Sequence, residues 1–288
     1  MDTENPTMLS FYSMDDVERL LAIPREKVAC LDIETTGLST DRDEVLQVSI
    51  CNGNGEVLFS SYVHPEHRQR WPKAQEINHI TPQMVANAPS LIDLSDIIET
   101  ILNDCDLLIG YNIKRFDLPF LEVGRVNIPS DLEIYDLIYD CSVLYGKWSD
   151  YHENYSFVSL SKAAGQFGIR FKMHDSATDA VATVKLFYML LASDTLTSMV
   201  ENKERERAER AELIKRIEEE RRLEKEREEH DTIHLSVNLN SASRAVTATQ
   251  PPKEPEKKKH GCLVRGCLVL LIIYACICLL ACLSRLFR

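Results

Sequence analysis

Asp32 and Glu34 stand two positions apart in the otherwise apolar run Val28-Ala29-Cys30-Leu31-Asp32-Ile33-Glu34. In an extended strand the side chains alternate between faces, so both carboxyls point to one side, about 6–7 Å apart, while Leu31 and Ile33 point to the other. Two acids projecting together from an apolar strand are costly unless a cation lies between them, and hard oxygen ligands suit a divalent ion. A solvent-facing strand edge would also accommodate the pair. Asp117 follows the apolar segment Leu107-Leu108-Ile109 in Gly110-Tyr111-Asn112-Ile113-Lys114-Arg115-Phe116-Asp117. An Asp at a helix start serves as a cap or dipole partner as readily as a ligand. The third segment, His174-Asp175-Ser176-Ala177-Thr178-Asp179-Ala180, opens a helix. There Ser176 and Asp179 have capping-box spacing, which explains half of the segment and leaves His174 unexplained.

The elements that must position these residues alternate between strand and helix. Ser13 with Asp16 makes a capping box for a first helix ending at Pro24. Strands are expected over 27–34, 44–51 and 57–63, the last two joined by the hairpin turn Asn52-Gly53-Asn54-Gly55. After a loop, helices are expected near 94–102, 116–123, 158–166 and 178–191, with strands near 106–110 and 132–135. The pattern predicts an α/β layered fold, a sheet of mixed parallel and antiparallel strands with flanking helices.

Charge narrows the chemistry. The 288 residues carry a formal net charge of −12, unevenly spread, since residues 1–195 hold 15 Lys or Arg against 30 Asp or Glu. So acidic a region does not bind nucleic acid by broad neutralisation of its backbone, and any nucleic acid must be handled at a small site, with metal. Cys30, Cys51, Cys105 and Cys141 lack the short paired spacing of a zinc site and are expected as free thiols.

Together the three acidic segments resemble the DEDDh subgroup of the DnaQ-like 3′–5′ exonucleases, the family of the polymerase III ε proofreading domain and of oligoribonucleases. Its first motif, D-x-E followed by T-T-G-L, corresponds to Asp32 through Leu38; its second, N-x-x-x-F-D, to Asn112 through Asp117; its third, H-x4-D-A, to His174 through Ala180. The resemblance implies a ribonuclease H-like mixed β-sheet flanked by helices, and metal-dependent hydrolysis of single-stranded 3′ ends to 5′-mononucleotides. It makes Asp32, Glu34, Asp117 and Asp179 the ligands of two Mg²⁺ ions, for which Mn²⁺ would substitute. His174 becomes the general base that takes a proton from the attacking water, a task suited to an imidazole.

The same resemblance places Thr35, Thr36 and Leu38 against the terminal nucleotide, with Asn112 and Phe116 bordering it. Ile77-Asn78-His79-Ile80-Thr81 corresponds to the family's I-H-G-I-T segment. Asn78 takes the place of its His and His79 of its Gly, so either side chain is a candidate for contact with the 3′ end. Ser176 replaces a common Ala, a small-for-small change. The same fold with catalysis lost, serving as a nucleic-acid or protein binding module, is the alternative.

The remainder of the chain reads as spacers and an anchor. The expected organisation is an N-terminal capping helix (1–26), the exonuclease domain (27–195), a charged solvated helix (196–230), a flexible linker (231–260) and a transmembrane tail (261–288). Glu201–Arg205, Glu206–Arg210, Glu212–Arg216 and Glu218–Arg222 are pairs at helical i, i+4 spacing. From Gly266 to Ser284 there are 19 uncharged, mostly apolar residues, a helix of about 28 Å that matches a bilayer's hydrocarbon thickness. Lys257, Lys258, Lys259 and Arg265 precede it, which places the bulk of the protein on the cytoplasmic side. Cys262 and Cys267 beside that flank are candidates for lipidation.

Overall fold

Strand β1 (Val28–Thr35) carries the acidic pair, and along it only Asp32 and Glu34 keep partial access to solvent. A strand covered on both faces reads as an almost continuous apolar run, and the two acids interrupt that run where the cover ends. The computed structural model describes residues 9–11 and 13–246. Strand β1 pairs antiparallel with β2 (Val45–Asn52), from Ala29 opposite Asn52 to Thr35 opposite Val45. Strand β2 pairs antiparallel with β3 (Val57–Tyr62), joined by the expected turn, in which Gly55 takes a φ of +80°. On its other side β1 runs parallel to β4 (Leu107–Gly110), itself parallel to β5 (Glu133–Asp136), giving the order β3-β2-β1-β4-β5. The β1–β4 pairing ends at Cys30 opposite Ile109, so Asp32 and Glu34 extend past β4. Beyond the carboxyl ends of parallel strands an α/β sheet opens a crevice, and the acids line this one.

Helices cover both faces. Val28 and Cys30 meet α1 (Met14–Ala22), α6 (Leu137–Tyr145), α7 (Leu160–Gln166) and α8 (Ser176–Leu191) through Val17, Leu20, Leu137, Cys141, Ala163 and Phe187. Ala29, Leu31 and Ile33 on the opposite face meet α4 (Leu91–Asp104) and α5 (Asp117–Val123) through Ile98, Leu102, Leu118 and Leu121. The two-residue alternation thus gives Asp32 and Glu34 the same face as Val28 and Cys30, beneath α8. The four expected thiols are free.

Several elements depart from the sequence reading. The stretch expected as a loop after β3 contains α2 (Pro72–Asn78) and the single turn α3 (Pro82–Val85), which close a small cluster of Leu46, Trp71, Ile80 and Val85. Each starts with Pro at its first position, where the missing N–H costs nothing. Helix α6 also goes unannounced, because Leu137 to Val143 are all buried and no polar face gives it a period. A short hairpin, β6 (Trp148–Ser149) with β7 (Asn154–Tyr155), forms a second sheet.

The core also crosses the expected domain boundaries. Leu9, Phe11, Val17 and Leu20 are buried in it, so the N-terminal helix is part of the domain and not a cap upon it. At the other end Leu196 and Val200, in the first turns of α9 (Asp194–Val246), complete the same cluster. The chain divides into two units, 1–216 and 217–288, and the described part of the second is the remainder of α9. Of the four expected pairs on this helix, Glu212–Arg216 forms at 2.5 Å, whereas Arg222 approaches Glu219 (3.8 Å) and Glu226 (3.7 Å). Exposed pairs of this kind contribute about 0.3–0.5 kcal/mol each. The helix runs on to Val246, into the segment expected as linker, since neither Gly nor Pro interrupts it before Pro251. The rest of that linker and the apolar run Gly266–Ser284 lie outside the described residues. No single helix among the described residues is long and apolar enough to cross a membrane.

Candidate active site

Three separate elements deliver acids to the crevice at the end of β1. Asp32 and Glu34 come from β1, Asp117 from the first residue of α5, and Asp179 from the first turn of α8. A ligand atom of Glu34, one of His174 and one of Asp179 lie within 4.8 Å of one another, close enough to share a cation. Asp32 and Asp117 fall outside that closest group but remain electrostatically linked to it. Asp32 has its pKa raised well above the usual carboxylate value by burial and then by Asp117, Asp179 and Glu34 around it. Glu34 is pushed up to about 7 by burial and by Asp179, against a hydrogen bond from Asn78 that lowers it. Burial raises Asp179 to about 6, against the His174 N–H that favours its ionised form.

Local hydrogen bonds show how each acid is held. Past the end of β4 the N–H of Ile33 has no strand partner, and Asp117 Oδ1 accepts it at 3.0 Å. Asp117 is buried, and its pKa is raised by burial and by Asp136, against that bond. Asp179 Oδ2 accepts the His174 N–H at 3.0 Å, while Asp179 Oδ1 is buried with no hydrogen-bond partner. A divalent cation would complement an orphaned carboxylate oxygen amid other acids, and the oxygen donor set with one imidazole nearby fits a hard ion. The expected capping box of Ser176 and Asp179 is not what starts α8: Asp175 caps it by accepting the Thr178 N–H at 3.2 Å. That leaves Asp179 for the crevice. Ser176 does more than fill space, because its hydroxyl lies 2.7 Å from that of Ser49 and ties the helix start to β2.

The residues expected at the substrate fall into two groups. Leu38 is 87 % exposed at the loop after β1, His79 is exposed, and Asn112 and Phe116 are partly exposed. His79, Asn112 and His174 all take left-handed backbone, with φ of 59°, 65° and 64°. Non-glycine residues in that region cluster where a site is being shaped. Thr35, Thr36 and Asn78 are instead buried, with their polar groups engaged internally. The Thr36 hydroxyl accepts the Glu44 N–H (2.9 Å) and lies 3.2 Å from Asp43 Oδ1. The Asn78 amide donates to the Thr35 carbonyl at 3.1 Å and accepts from Ile80 N–H, in addition to its bond with Glu34. Asn78 therefore orients a site carboxylate, with its own polar atoms engaged by the protein. A cavity of about 450 Å³ bounded by loop 40–45, His64, Phe120 and Arg125 holds none of the site acids.

One supporting residue escapes sequence reasoning. Asp136, the last residue of β5, is 2 % exposed and accepts N–H bonds from Asn112 (2.7 Å), Lys114 (3.1 Å) and Ile138 (3.2 Å). It pins the loop that ends in Asp117. Its N-cap position before α6 was a usable signal, but only once α6 is known to exist. Asp136→Ala takes the acceptor from three N–H groups, that of Ile138 buried, and is expected to cost about 2 kcal/mol in urea denaturation, with Asp136→Asn much milder.

Comparison with known proteins bears on the family. Residues 29–187 match the RNase T family model, described as an exonuclease. A PolC-type DNA polymerase III of Bacillus subtilis is 30% identical over 105 residues, which is 35% of this chain and 7% of that one. A 3′-5′ exonuclease DinG of Staphylococcus epidermidis is 31% identical over 97 residues, 33% of this chain and 10% of that one. The chain thus matches a tenth or less of the length of these curated relatives. A zinc-bound E. coli ExoI–ssDNA complex aligns with 59% of this chain and 42% of its own at 20% identity and a TM-score of 0.48.

Proposed function

The chain belongs to the RNase T family of exonucleases, and from that premise we propose that its crevice hydrolyses phosphodiester bonds at the 3′ ends of single-stranded DNA or short oligonucleotides, releasing 5′-mononucleotides. The observation that carries this reading is the approach of ligand atoms of Glu34, His174 and Asp179 to within 4.8 Å of one another, in a site where one Asp179 oxygen is buried without a partner.

Asp32, Glu34, Asp117 and Asp179 would hold two divalent cations, Mg²⁺ with Mn²⁺ as substitute. When bound, these supply the charge that steadies the attacking and leaving oxygens of an in-line displacement. The protein's own groups do the remainder. An imidazole nitrogen of His174 takes the proton of the attacking water, and its exposure lets that proton pass to solvent. Leu38, apolar and almost fully exposed, offers the terminal base a face to lie against. Asn78 holds Glu34, and Asp136 holds the loop carrying Asp117.

Digestion of 5′-labelled single-stranded DNA and RNA by the 288-residue chain, with Mg²⁺, Mn²⁺ or EDTA, tests the reading. A metal-dependent ladder shortening from the 3′ end supports it and reports the sugar preference. Intact substrate under every metal overturns it.

The C-terminal run Gly266–Ser284 is the basis for placing this activity at a membrane, with the catalytic domain on the cytoplasmic face. The chain is expected to float with liposomes and to resist carbonate extraction from a membrane fraction, and a chain ending at Val246 to stay in the soluble fraction. Equal partitioning of the two would remove the tether from the proposal.

A further inference from the structure

Three exposed aromatic side chains are accounted for by neither the core nor the candidate catalytic residues. The β6–β7 hairpin and the residues after it expose Trp148 to 49%, Tyr151 to 90% and Phe157 to 43%. Trp148 is braced edge-on by Tyr155 across the hairpin, with ring centres 5.0 Å apart at 72°. Phe157 is held on one side by Tyr139, at 6.3 Å, and on the other by the Arg115 guanidinium, 5.0 Å from its ring centre. Arg115 belongs to the loop between Asn112 and Asp117, so Phe157 touches the loop that leads to Asp117, and the hairpin ends two residues before Phe157.

The cations next to these rings are Arg115 and Lys147, and the hairpin itself also carries Asp150 and Glu153. Exposed aromatic rings, one of them under a guanidinium, match one kind of occupant, a flexible polymer with a flat π face at each repeat.

We propose that Trp148, Tyr151 and Phe157, with Arg115 and Lys147, form a stacking platform for nucleotides of the single strand upstream of the 3′ end held in the crevice. This rests on the exonuclease reading, which supplies the strand. The platform selects unpaired over paired substrates, because bases within a duplex have no free face to present. It also compensates for the acidity of the domain by replacing broad phosphate neutralisation with stacking.

The molecule carries a built-in reporter. Its two tryptophans are Trp71, 4 % exposed with its indole N–H bonded to the Ile80 carbonyl, and Trp148. Only Trp148 is placed to meet a ligand. The 288-residue Asp32→Asn chain is titrated with a labelled oligothymidylate in Mg²⁺, following tryptophan emission and, in parallel, anisotropy of the label. Emission is expected to be quenched as binding saturates. Trp148→Phe keeps the binding and loses most of the quenching, and Trp148→Ala and Tyr151→Ala each weaken binding about tenfold. Tyr151 is nearly fully solvated, so its removal leaves the fold intact.

Unchanged emission, whether or not anisotropy shows binding, overturns the proposal. So does a response to phosphatidylserine vesicles and none to oligonucleotide, which would assign the aromatic group to a lipid surface. Digestion by the unaltered chain is scored separately. Cleavage without quenching removes the platform alone, whereas quenching without cleavage removes the exonuclease reading and leaves a binding surface.

Discussion

His174→Asn is expected to lower kcat for oligonucleotide digestion by about 10²–10⁴-fold, the usual contribution of a positioned general base. Asn is a better replacement than Ala because the residue takes a φ of 64°, which Asn tolerates and Ala resists. The backbone N–H of residue 174 would still reach Asp179 Oδ2, so the carboxylate set should keep its arrangement. Mn²⁺ is therefore expected to raise the melting temperature of the variant and of the parent alike. Loss of both turnover and the metal-induced shift would make His174 a ligand and not a base. Retained turnover would remove it from the chemistry.

The second large effect concerns stability. In the metal-free protein Glu34 titrates at about 7 and Asp179 at about 6, both above the ordinary values of 4.5 and 3.8, chiefly because burial disfavours their charge. A carboxyl whose folded pKa is raised binds its proton more tightly when folded. Its favourable contribution is complete below the unfolded pKa and is lost as pH rises through the folded one. The metal-free melting temperature is accordingly expected to fall between about pH 5.5 and about pH 8. Metal reverses the sign, since it binds the ionised acids, and millimolar Mn²⁺ should stabilise far more at the higher pH. Glu34→Gln should raise the metal-free melting temperature at the higher pH while blunting the response to Mn²⁺. Thermal melts of both chains at the two pH values decide this. A metal-induced shift equal at both would mean that the site acids are already ionised.

Both expectations join groups that lie far apart in sequence, which marks the limit of what local pattern reports. The spacing of Asp32 and Glu34 was legible because a strand's two-residue period is a property of the backbone itself. The hairpin turn and the helices α4, α5, α7 and α8 were legible for a similar reason, since turn chemistry and amphipathic spacing act over a few residues. Helix α6 was not, because burial on every side erases its period. Helices α2 and α3 are too short for a period to build up, though Pro72 and Pro82 marked their starts.

By itself the sequence determined which residues are candidates for the chemistry and in what order, and that an apolar segment follows a charged one. Those are matters of residue type and near-neighbour spacing. Only the tertiary structure decided what surrounds each group. It stops β4 short of Asp32, sends Asp117 to the Ile33 N–H across 84 positions, and leaves one oxygen of Asp179 buried without a partner. It turns Asn78 inward, sets Asp136 against the loop that leads to Asp117, and brings Phe157 under Arg115. A carboxyl's pKa and a side chain's role depend on desolvation and on partners brought close by packing, and neither is a property of the residues next to it in the chain.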